Sequence, residues 1–299
     1  MKVSVVIPTH DRVETLKLAI DSVLNQTYRA NEVIVVDDTG SQNTKELVES
    51  YNDLRIQFIT NPNSGASSSR NLGASIANSE FVAFLDDDDV WLSNKLEKQL
   101  SLAKKENLDA VFSQLIVNYE SIGVEYPTKS RNLSEPLKSI CMENYIGATI
   151  SCVVKKSIFL KVNGFDTGFQ AREEYDLWIR IISSRFKIGI VEEPLAISNR
   201  SFVRNRISSN LSRYEQGIEL LNRKHHKLIS DCLNEQEQKL RRSKQFDFLA
   251  AQAISIGRRV EAVRYYYDSF LICPRLKTAI LAFLGLVSPI LLIRIRSWM

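Results

Sequence analysis

Four consecutive aspartates directly follow an apolar run, and this feature constrains the fold more than any other in the chain. The apolar run covers residues 81–85 and is typical of a buried strand, and residues 86–89 supply the four carboxylates. Two unit charges about 4 Å apart repel by roughly 4 kcal/mol at an effective dielectric near 20. Such a cluster needs a counter-charge, which favours a divalent cation with an attached phosphate at the carboxyl edge of an open α/β sheet.

The acidic run is also compatible in composition with a solvated turn or with a calcium-binding EF-hand loop. Acid-rich turns are common, so composition alone does not exclude a turn. An EF-hand is excluded because, with Asp86 as its first position, the loop would have Trp91 where an EF-hand requires glycine. The choice between a turn and a metal site therefore depends on the residues before and after the run.

The bulk composition describes an ordinary globular protein. With 299 residues, 44% of them hydrophobic and 25% charged, the chain can hold one large domain and a smaller one. Four cysteines without paired spacing predict reduced thiols in a cytoplasmic protein, and we expect no signal peptide. Nucleic-acid binding is not expected, because the catalytic region has no basic patch interleaved with aromatic residues.

Strand patterns alternate with helical patterns over the first 180 residues. This alternation predicts an α/β fold with a mostly parallel central sheet and right-handed crossovers. The predicted strands are residues 2–7, 33–36, 55–60, 80–85, 110–117 and 149–155, and two of the predicted helices are residues 66–77 and 93–106. Residues 118–143 are predicted to be irregular, because they contain Pro127 and Pro136 and show little periodicity.

Polar residues follow the first four predicted strands, which is the pattern of a nucleotide site along one sheet edge. These residues are Thr9, His10 and Asp11, then Asp37 and Asp38, then Asn61, then Asp86 to Asp89. Neither G-x-G-x-x-G nor a P-loop sequence is present. A pyrophosphate would therefore be held by a metal and by Arg70 rather than by a glycine-rich loop.

Five sequence pieces together resemble the family 2 glycosyltransferases of the GT-A fold. They are VSVVIPTHDR, IVVDDTGS, NSGASSSRNLG, FVAFLDDDDVW, and NGFD with EEYDLWIR, in the family's order from residue 3 to about residue 180. Any one piece is weak, whereas five in order are specific. The resemblance is greatest to bacterial enzymes that build surface polysaccharides. It implies a GT-A nucleotide-diphospho-sugar transferase fold.

The resemblance also implies roles for ten residues. Those expected to bind the nucleotide are Pro8, Thr9, His10, Arg12, Asp38, Arg70, Asp86 and Asp87. Asp88 and Asp86 are the DxD pair expected to bind Mn²⁺ or Mg²⁺, and Glu174 takes the position of the catalytic base. His10 replaces a more usual Tyr, and Glu174 replaces a more usual Asp. A late His that often contacts the metal has no match, because residues 199–210 contain none.

The implied reaction is direct displacement with inversion at the anomeric carbon of a nucleotide-sugar. A UDP-sugar is the expected donor, and the expected acceptor is a hydroxyl of a glycan or of a lipid-linked sugar. Two other functions stay open. A sugar-nucleotide pyrophosphorylase would need a Gly-rich loop where residues 8–12 stand. An inactive nucleotide-sugar-binding scaffold would be favoured if the acidic site residues were replaced by non-acidic ones. All four are retained as carboxylates: Asp38, Asp86, Asp88 and Glu174.

Residues 213–299 are predicted to form a helical region after a catalytic domain of residues 1–212. The apolar stretch 278–293 has 16 uncharged residues, fewer than the roughly 20 that a spanning helix needs. Basic residues and a Trp flank it: Arg275, Lys277, Arg294, Arg296 and Trp298. This pattern predicts a peripheral anchor at the cytoplasmic face of the membrane. The alternative is a helix pair that packs on the catalytic domain or on a second subunit, as in a homodimer.

Overall fold

The computed structural model describes residues 1–63, 65–130, 132–200 and 210–287 of the chain. The strands are β1 (Val3–Thr9), β2 (Glu32–Asp37), β3 (Ile56–Thr60), β4 (Phe81–Phe84), β5 (Val90–Trp91), β6 (Ala110–Tyr119), β7 (Val124–Pro127), β8 (Val153–Lys155) and β9 (Ile188–Asn199). The helices are α1 (Val13–Leu24), α2 (Gln42–Ser50), α3 (Ala66–Ile76), α4 (Lys95–Glu106), α5 (Pro136–Met142), α6 (Lys156–Lys161), α7 (Glu173–Ser183), α8 (Leu211–Lys224), α9 (His226–Cys232), α10 (Glu235–Ser255), α11 (Arg259–Ile272) and α12 (Leu276–Val287).

The strands form one sheet in the order β3-β2-β1-β4-β8-β6-β9-β5, with β7 paired to β6. The ladders β3-β2, β2-β1, β1-β4 and β6-β9 are parallel and include most of the paired residues. The short strands β5, β7 and β8 pair antiparallel with their neighbours. The predicted α/β class with a mostly parallel sheet is confirmed.

Two local predictions between β6 and β8 were wrong. Residues 118–143 are not irregular throughout, because β6 continues to Tyr119 and the segment also contains β7 and α5. Both prolines occupy permitted places: Pro127 ends the edge strand β7, and Pro136 is the first residue of α5, where its missing N–H has no helical partner. The predicted strand 149–155 begins with a 3₁₀ turn, so only Val153–Lys155 pairs.

Two apolar clusters cover the two faces of the sheet. Along β1, Val6 belongs to one cluster and Val5 and Ile7 belong to the other, as the alternation of side chains in a strand requires. Helix α3 packs closely on this strand because residue 73 is glycine: a Cβ there would lie 2.4 Å from Cγ1 of Val6. The close approach brings Arg70, one turn earlier, to the carboxyl edge of the sheet.

Five helices, α8 to α12, follow the sheet among the described residues. A third apolar cluster joins α8, α10, α11 and α12 to β6 and β7, and it includes Tyr119, Val124, Tyr266 and Leu281. No helix in the described part of the chain is long and apolar enough to cross a membrane. The predicted apolar stretch 278–293 lies partly in α12, and its part after residue 287 lies outside the described residues. Arg275, one of the basic residues that flank that stretch, pairs with Asp247 at 2.5 Å.

One buried cation of α4 contributes to stability in a way that depends on pH. Lys95 is fully buried, donates to Oε1 of Gln99 at 2.6 Å, and lies 4.2 Å from the Trp91 ring centroid. Burial lowers its pKa from 10.5 to about 7. Between these values the folded chain holds Lys95 neutral and the unfolded chain holds it protonated, so stability rises with pH.

We therefore expect Lys95→Met to remove a specific part of the pH dependence of stability. From pH 7 to pH 9 the wild type should gain about 2 kcal/mol of unfolding free energy relative to the variant, at 1.36 kcal/mol per pKa unit. Urea denaturation of both proteins at the two pH values measures this difference. Equal changes in the two proteins would mean that Lys95 titrates as an ordinary exposed lysine.

Candidate active site

A cleft of about 740 Å³ lies at the carboxyl edge of the parallel strands. β1 ends there, β2 leads into the turn at Asp38, and β4 leads into the acidic run. All ten residues predicted for the site line this cleft: Pro8, Thr9, His10, Arg12, Asp38, Arg70, Asp86, Asp87, Asp88 and Glu174. The fold thus brings together residues that are up to 166 positions apart in the sequence.

The four aspartates of the run alternate between partly exposed and buried. The side chains of Asp86 and Asp88 are 31% and 18% exposed, whereas Asp87 and Asp89 are each 5% exposed. The two more exposed carboxylates are the pair that the sequence predicts as metal ligands. The two buried ones bond to neighbouring segments and hold the turn in place.

Asp87 joins the acidic turn to the end of β1. Oγ1 of Thr9 donates to Asp87 at 2.8 Å, and Nη1 of Arg12 donates to Asp87 at 3.0 Å and to Asp88 at 3.3 Å. Burial raises the pKa of Asp87, and the Arg12 charge opposes this shift. Arg12 therefore supplies part of the counter-charge that the acidic run needs.

Asp89 joins the same turn to the end of β9. The backbone N–H of Asn199 donates to Oδ1 of Asp89 at 2.8 Å, and its side-chain amide donates to the Asp88 carbonyl at 2.9 Å. Burial, followed by the charges of Asp86 and Asp88, raises the pKa of Asp89 well above its usual value. The sequence predicts no His as a third metal contact within residues 199–210. Most of that stretch, residues 201–209, lies outside the described residues.

Arg70 connects the acidic run to α7. Its Nη2 donates to Asp86 at 2.6 Å and its Nη1 donates to Glu173 at 3.1 Å. The guanidinium is only 6% exposed, and its centre lies 5.3 Å from the centroid of the Phe165 ring. Burial lowers its pKa, but the two carboxylates outweigh this effect and keep the pKa above its ordinary value. Arg70 is thus a fixed positive charge at the floor of the cleft.

Asp38 lines the cleft directly after β2. Its Oδ1 is 2.6 Å from Nδ1 of His10, and its Oδ2 accepts from the N–H of Gly65 at 2.6 Å. Gly65 has φ 110° and ψ 142°, a conformation that only glycine adopts readily. Asp37 is buried and accepts from the backbone of the following turn, so it fixes the turn that presents Asp38.

Glu174 lies in the first turn of α7. Its Oε1 accepts from Nδ2 of Asn144 at 3.2 Å. Burial, and then the charge of Glu173, raise the pKa of Glu174, while Arg172 lowers it. Arg172 precedes α7 with φ 70°, a conformation that costs a non-glycine residue about 1–3 kcal/mol and is often found at functional sites. A carboxylate with a raised pKa at the wall of a cleft is suited to accept a proton.

Sequence reasoning missed three residues that shape this site. Glu173 was not assigned to the site, although it pairs with Arg70. Asn144 and Asn199 were not assigned any role, although they contact Glu174 and the acidic turn. Each contact joins residues at least 30 positions apart, so no local pattern in the sequence could have found them.

The carboxylates suit a divalent cation that also contacts a substrate phosphate. Mg²⁺ and similar ions are often held by one or two carboxylates together with substrate phosphates rather than by a complete protein cage. Asp86 and Asp88 supply such oxygen donors at the surface of the cleft. Within the described ranges, no group of three His, Cys, Asp or Glu side chains is arranged to hold a metal without further ligands.

Comparison with known proteins defines the family. A model of glycosyl transferase family 2 matches residues 4–162, more than half of the chain. The chain belongs to this family and is a glycosyltransferase, as the motifs predicted. One relative is the UDP-Glc:alpha-D-GlcNAc-diphosphoundecaprenol beta-1,3-glucosyltransferase WfgD of Escherichia coli. It is 32% identical over 210 residues, which are 70% of this chain and 80% of that protein.

Solved structures with similar folds are also glycosyltransferases of the GT-A type. TarS of S. aureus in complex with UDP-GlcNAc has a TM-score of 0.65 and 16% identity, covering 99% of this chain and 90% of that chain. The mannosyltransferase PcManGT from Pyrobaculum calidifontis, in complex with GDP-Man and Mn²⁺, has a TM-score of 0.60 and 15% identity, covering 99% and 87%. At these identities the likeness concerns the fold, and the predicted GT-A fold is confirmed.

Proposed function

We propose that the chain is a metal-dependent, inverting glycosyltransferase. It moves a sugar from a nucleotide-sugar, with a UDP-sugar as the expected donor, to a hydroxyl of a glycan or lipid-linked acceptor in surface polysaccharide synthesis. One observation supports this most: a single cleft is lined by three kinds of group. They are the polar residues at the carboxyl ends of the parallel strands, the Asp86 and Asp88 pair with arginines nearby, and Glu174 with its raised pKa. The lipid-linked acceptor named for the Escherichia coli relative supports the acceptor class.

The donor nucleotide is proposed to lie between Asp38 and Arg70. Pro8, Thr9 and His10 would contact the base and ribose, with Asp38 accepting hydrogen bonds from the base. The carboxylate oxygens of Asp38 contact His10 and Gly65, so the incoming base would replace or share these contacts. Asp87 would act on the nucleotide site through Thr9 and Arg12, which it holds in place.

The diphosphate is proposed to lie near Arg70, Asp86 and Asp88. The two carboxylates would hold Mn²⁺ or Mg²⁺, and when bound the cation stabilises negative charge that develops on the leaving nucleoside diphosphate. Arg70 is held in place by Asp86 and Glu173, so it faces the leaving group without needing to reorganise. Arg12, bonded to Asp88, would orient that carboxylate.

Glu174 is proposed as the general base. The acceptor hydroxyl is a weak nucleophile at neutral pH, so its oxygen must lose a proton as it forms the bond to the anomeric carbon. That proton passes to Glu174, and the bond from the anomeric carbon to the diphosphate oxygen breaks on the opposite face, which inverts the configuration. Asn144 fixes the carboxylate through a hydrogen bond of 3.2 Å.

Titration of nucleotides distinguishes this proposal from a solvated acidic turn and from other functions. UDP, GDP and dTDP are titrated calorimetrically into the full chain, once with Mn²⁺ and once with chelator. We expect one nucleotide, UDP, to bind more tightly with the metal. Transfer assays with a panel of sugars on that nucleotide would follow. Absence of binding by every nucleotide would contradict the proposal, and metal-dependent binding without turnover would favour a scaffold.

We also propose that residues 1–212 form the catalytic domain and that the helices after them bring the enzyme to the cytoplasmic face of the membrane. Exposed large apolar side chains of α11 and α12 include Val260, Tyr267, Leu271, Leu276, Ile280 and Phe283, and their spacing places them on one face within each helix. Arg258, Arg259 and Arg264 are exposed near them. An apolar ridge beside basic residues is suited to an anionic lipid surface.

Replacing the apolar ridge of α12 tests the membrane proposal. We expect a variant with Leu276→Gln, Ile280→Gln and Phe283→Gln to float less with vesicles rich in phosphatidylserine than the wild type does. These side chains are 78%, 48% and 66% exposed, so the fold should be retained. Leu54→Gln, at a fully exposed apolar residue elsewhere, is the control. Unchanged flotation together with a loss of dimer in sedimentation would assign the ridge to a second copy of the chain.

A further inference from the structure

A smaller cavity lies next to the cleft. Its volume is about 120 Å³, room for roughly four waters at about 30 Å³ each. Its lining includes three cationic side chains and one acid: Arg172, Arg241, Lys244 and Glu143. Arg172 and Phe248 also line the cleft, so the two spaces share a wall. We refer to this cavity as the basic pocket.

Arg241 is the most buried cation of the basic pocket. It is 5% exposed, and its guanidinium donates to the Cys141 carbonyl at 2.7 Å and to Oδ1 of Asn222 at 2.5 Å. Among the described residues it forms no ion pair with a carboxylate. Burial lowers its pKa, and the nearby charge of Arg172 lowers it further. A buried positive charge without an acidic partner is unfavourable unless an anion joins it.

Arg172 is held over aromatic rings rather than by an acid. Its guanidinium centre lies 4.1 Å from the Phe248 ring centroid and 4.8 Å from the Tyr175 ring centroid. Its Nε is buried and has no hydrogen-bond partner among the residues that the structure describes. Gly217 of α8 permits this arrangement, because a Cβ there would lie 2.4 Å from the Ala171 carbonyl oxygen. The side chain is therefore fixed in position with a donor left unused.

Lys244 lies at the rim of the pocket and pairs with Glu143 at 2.5 Å. This acid compensates one of the three cations, so the lining keeps a formal charge of about +2. Arg172 has an unused N–H donor at Nε, and the planar donor geometry of a guanidinium matches phosphate oxygens. A small cavity with this charge and these donors is suited to a phosphate or diphosphate group.

We infer that the basic pocket binds the diphosphate that links the acceptor sugar to its carrier. The inference rests on the proposed function and assigns the acceptor side of the same site. Asn144 lines the pocket and also donates to Glu174, so a sugar attached to a group in the pocket would lie beside the base. The donor diphosphate has a different place, since Arg70 and Asp86 line the cleft and do not line the basic pocket. One acceptor sugar thus lies between two separate diphosphates.

Binding of a diphosphate to the nucleotide-loaded enzyme tests this inference. Farnesyl diphosphate, farnesol and inorganic pyrophosphate are each titrated into the full chain, with UDP and Mn²⁺ saturating in cell and syringe so that the donor site is filled. Arg241→Gln could unfold the chain, because Arg241 ties α10 to α5 and α8. The variants are therefore Arg172→Gln and Lys244→Met, with Lys239→Met on the same helix as the control.

We expect farnesyl diphosphate to bind the UDP-loaded wild type and farnesol not to bind. Loss of one charged hydrogen-bond donor should raise the dissociation constant about tenfold in Arg172→Gln and about threefold in Lys244→Met, with no change in Lys239→Met. Thermal melts of the variants check the fold.

No binding of farnesyl diphosphate, or equal affinity in all variants, would overturn the inference. Binding of inorganic pyrophosphate alone would also overturn it, because the pocket would then hold a free anion. UDP binding, measured beforehand, reports separately on the proposed function.

Discussion

An Asp88→Ala variant is expected to lose sugar transfer and to bind UDP no more tightly with Mn²⁺ than with chelator. Charge stabilisation by a metal contributes several kcal/mol to such a step, so the rate should fall at least about 10³-fold. The fold should be retained, because Asp87 still holds Arg12 when the Asp88 contact is removed. Transfer rates and calorimetric titrations of the variant and the wild type, each with and without metal, measure the two losses.

The comparison variant for Asp88 is Asp53→Asn. Asp53 also pairs with an arginine, Arg55, but lies outside the lining of the cleft. It should leave transfer and metal-dependent binding unchanged, which separates loss of a ligand from loss of any surface carboxylate. If Asp88→Ala kept the metal-dependent part of UDP binding, Asp88 would not be a metal ligand and the acidic run would be better described as a solvated turn.

The central parallel strands β1, β2 and β4 could be predicted from the sequence because they are buried on both faces. Such strands appear as continuous β-branched runs, as in β1 and β2, and a helical pattern separates them. The polar ends of these strands must then meet at one edge, which is why Thr9, Asp38 and the acidic run were assigned to one site. The rule that ligands bind at the carboxyl ends of parallel strands therefore predicts where the site lies, although it does not say which side chains contact each other.

The antiparallel additions and the basic pocket could not be predicted in the same way. β5 and β8 have two and three residues, too few to show an alternation. Arg241 belongs to α10, about 70 residues after Arg172, and its burial follows from packing against α5 and α8. Before that packing is known, an arginine on a helix is most simply assigned to a solvated face. That the buried Arg241 pairs with no carboxylate among the described residues can be seen only in the three-dimensional structure.

A Glu174→Gln variant is expected to keep nucleotide affinity and to lose turnover. Removing a general base lowers the rate by about 10²–10⁴-fold. The amide is nearly isosteric with the carboxylate and can still contact Asn144, so the cleft should keep its shape. Calorimetric titration of UDP and transfer rates at saturating donor measure the two properties separately. A variant that lost UDP binding, or that turned over like the wild type, would contradict the role of Glu174 as base.

The neighbouring Glu173→Gln is the matched control, because it changes a carboxylate of the same helix turn that pairs with Arg70. It should weaken nucleotide binding and keep turnover at saturating donor.

The dependence of kcat on pH distinguishes the Glu173→Gln variant from the Glu174→Gln variant further. Burial and the Glu173 charge raise the pKa of Glu174 above its ordinary value of 4.5, so turnover falls as the pH drops through that raised pKa. Removing the Glu173 charge lowers the pKa, so the acid limb of kcat should move to lower pH in Glu173→Gln and disappear in Glu174→Gln. An acid limb that stayed in place in both variants would belong to another group in the cleft.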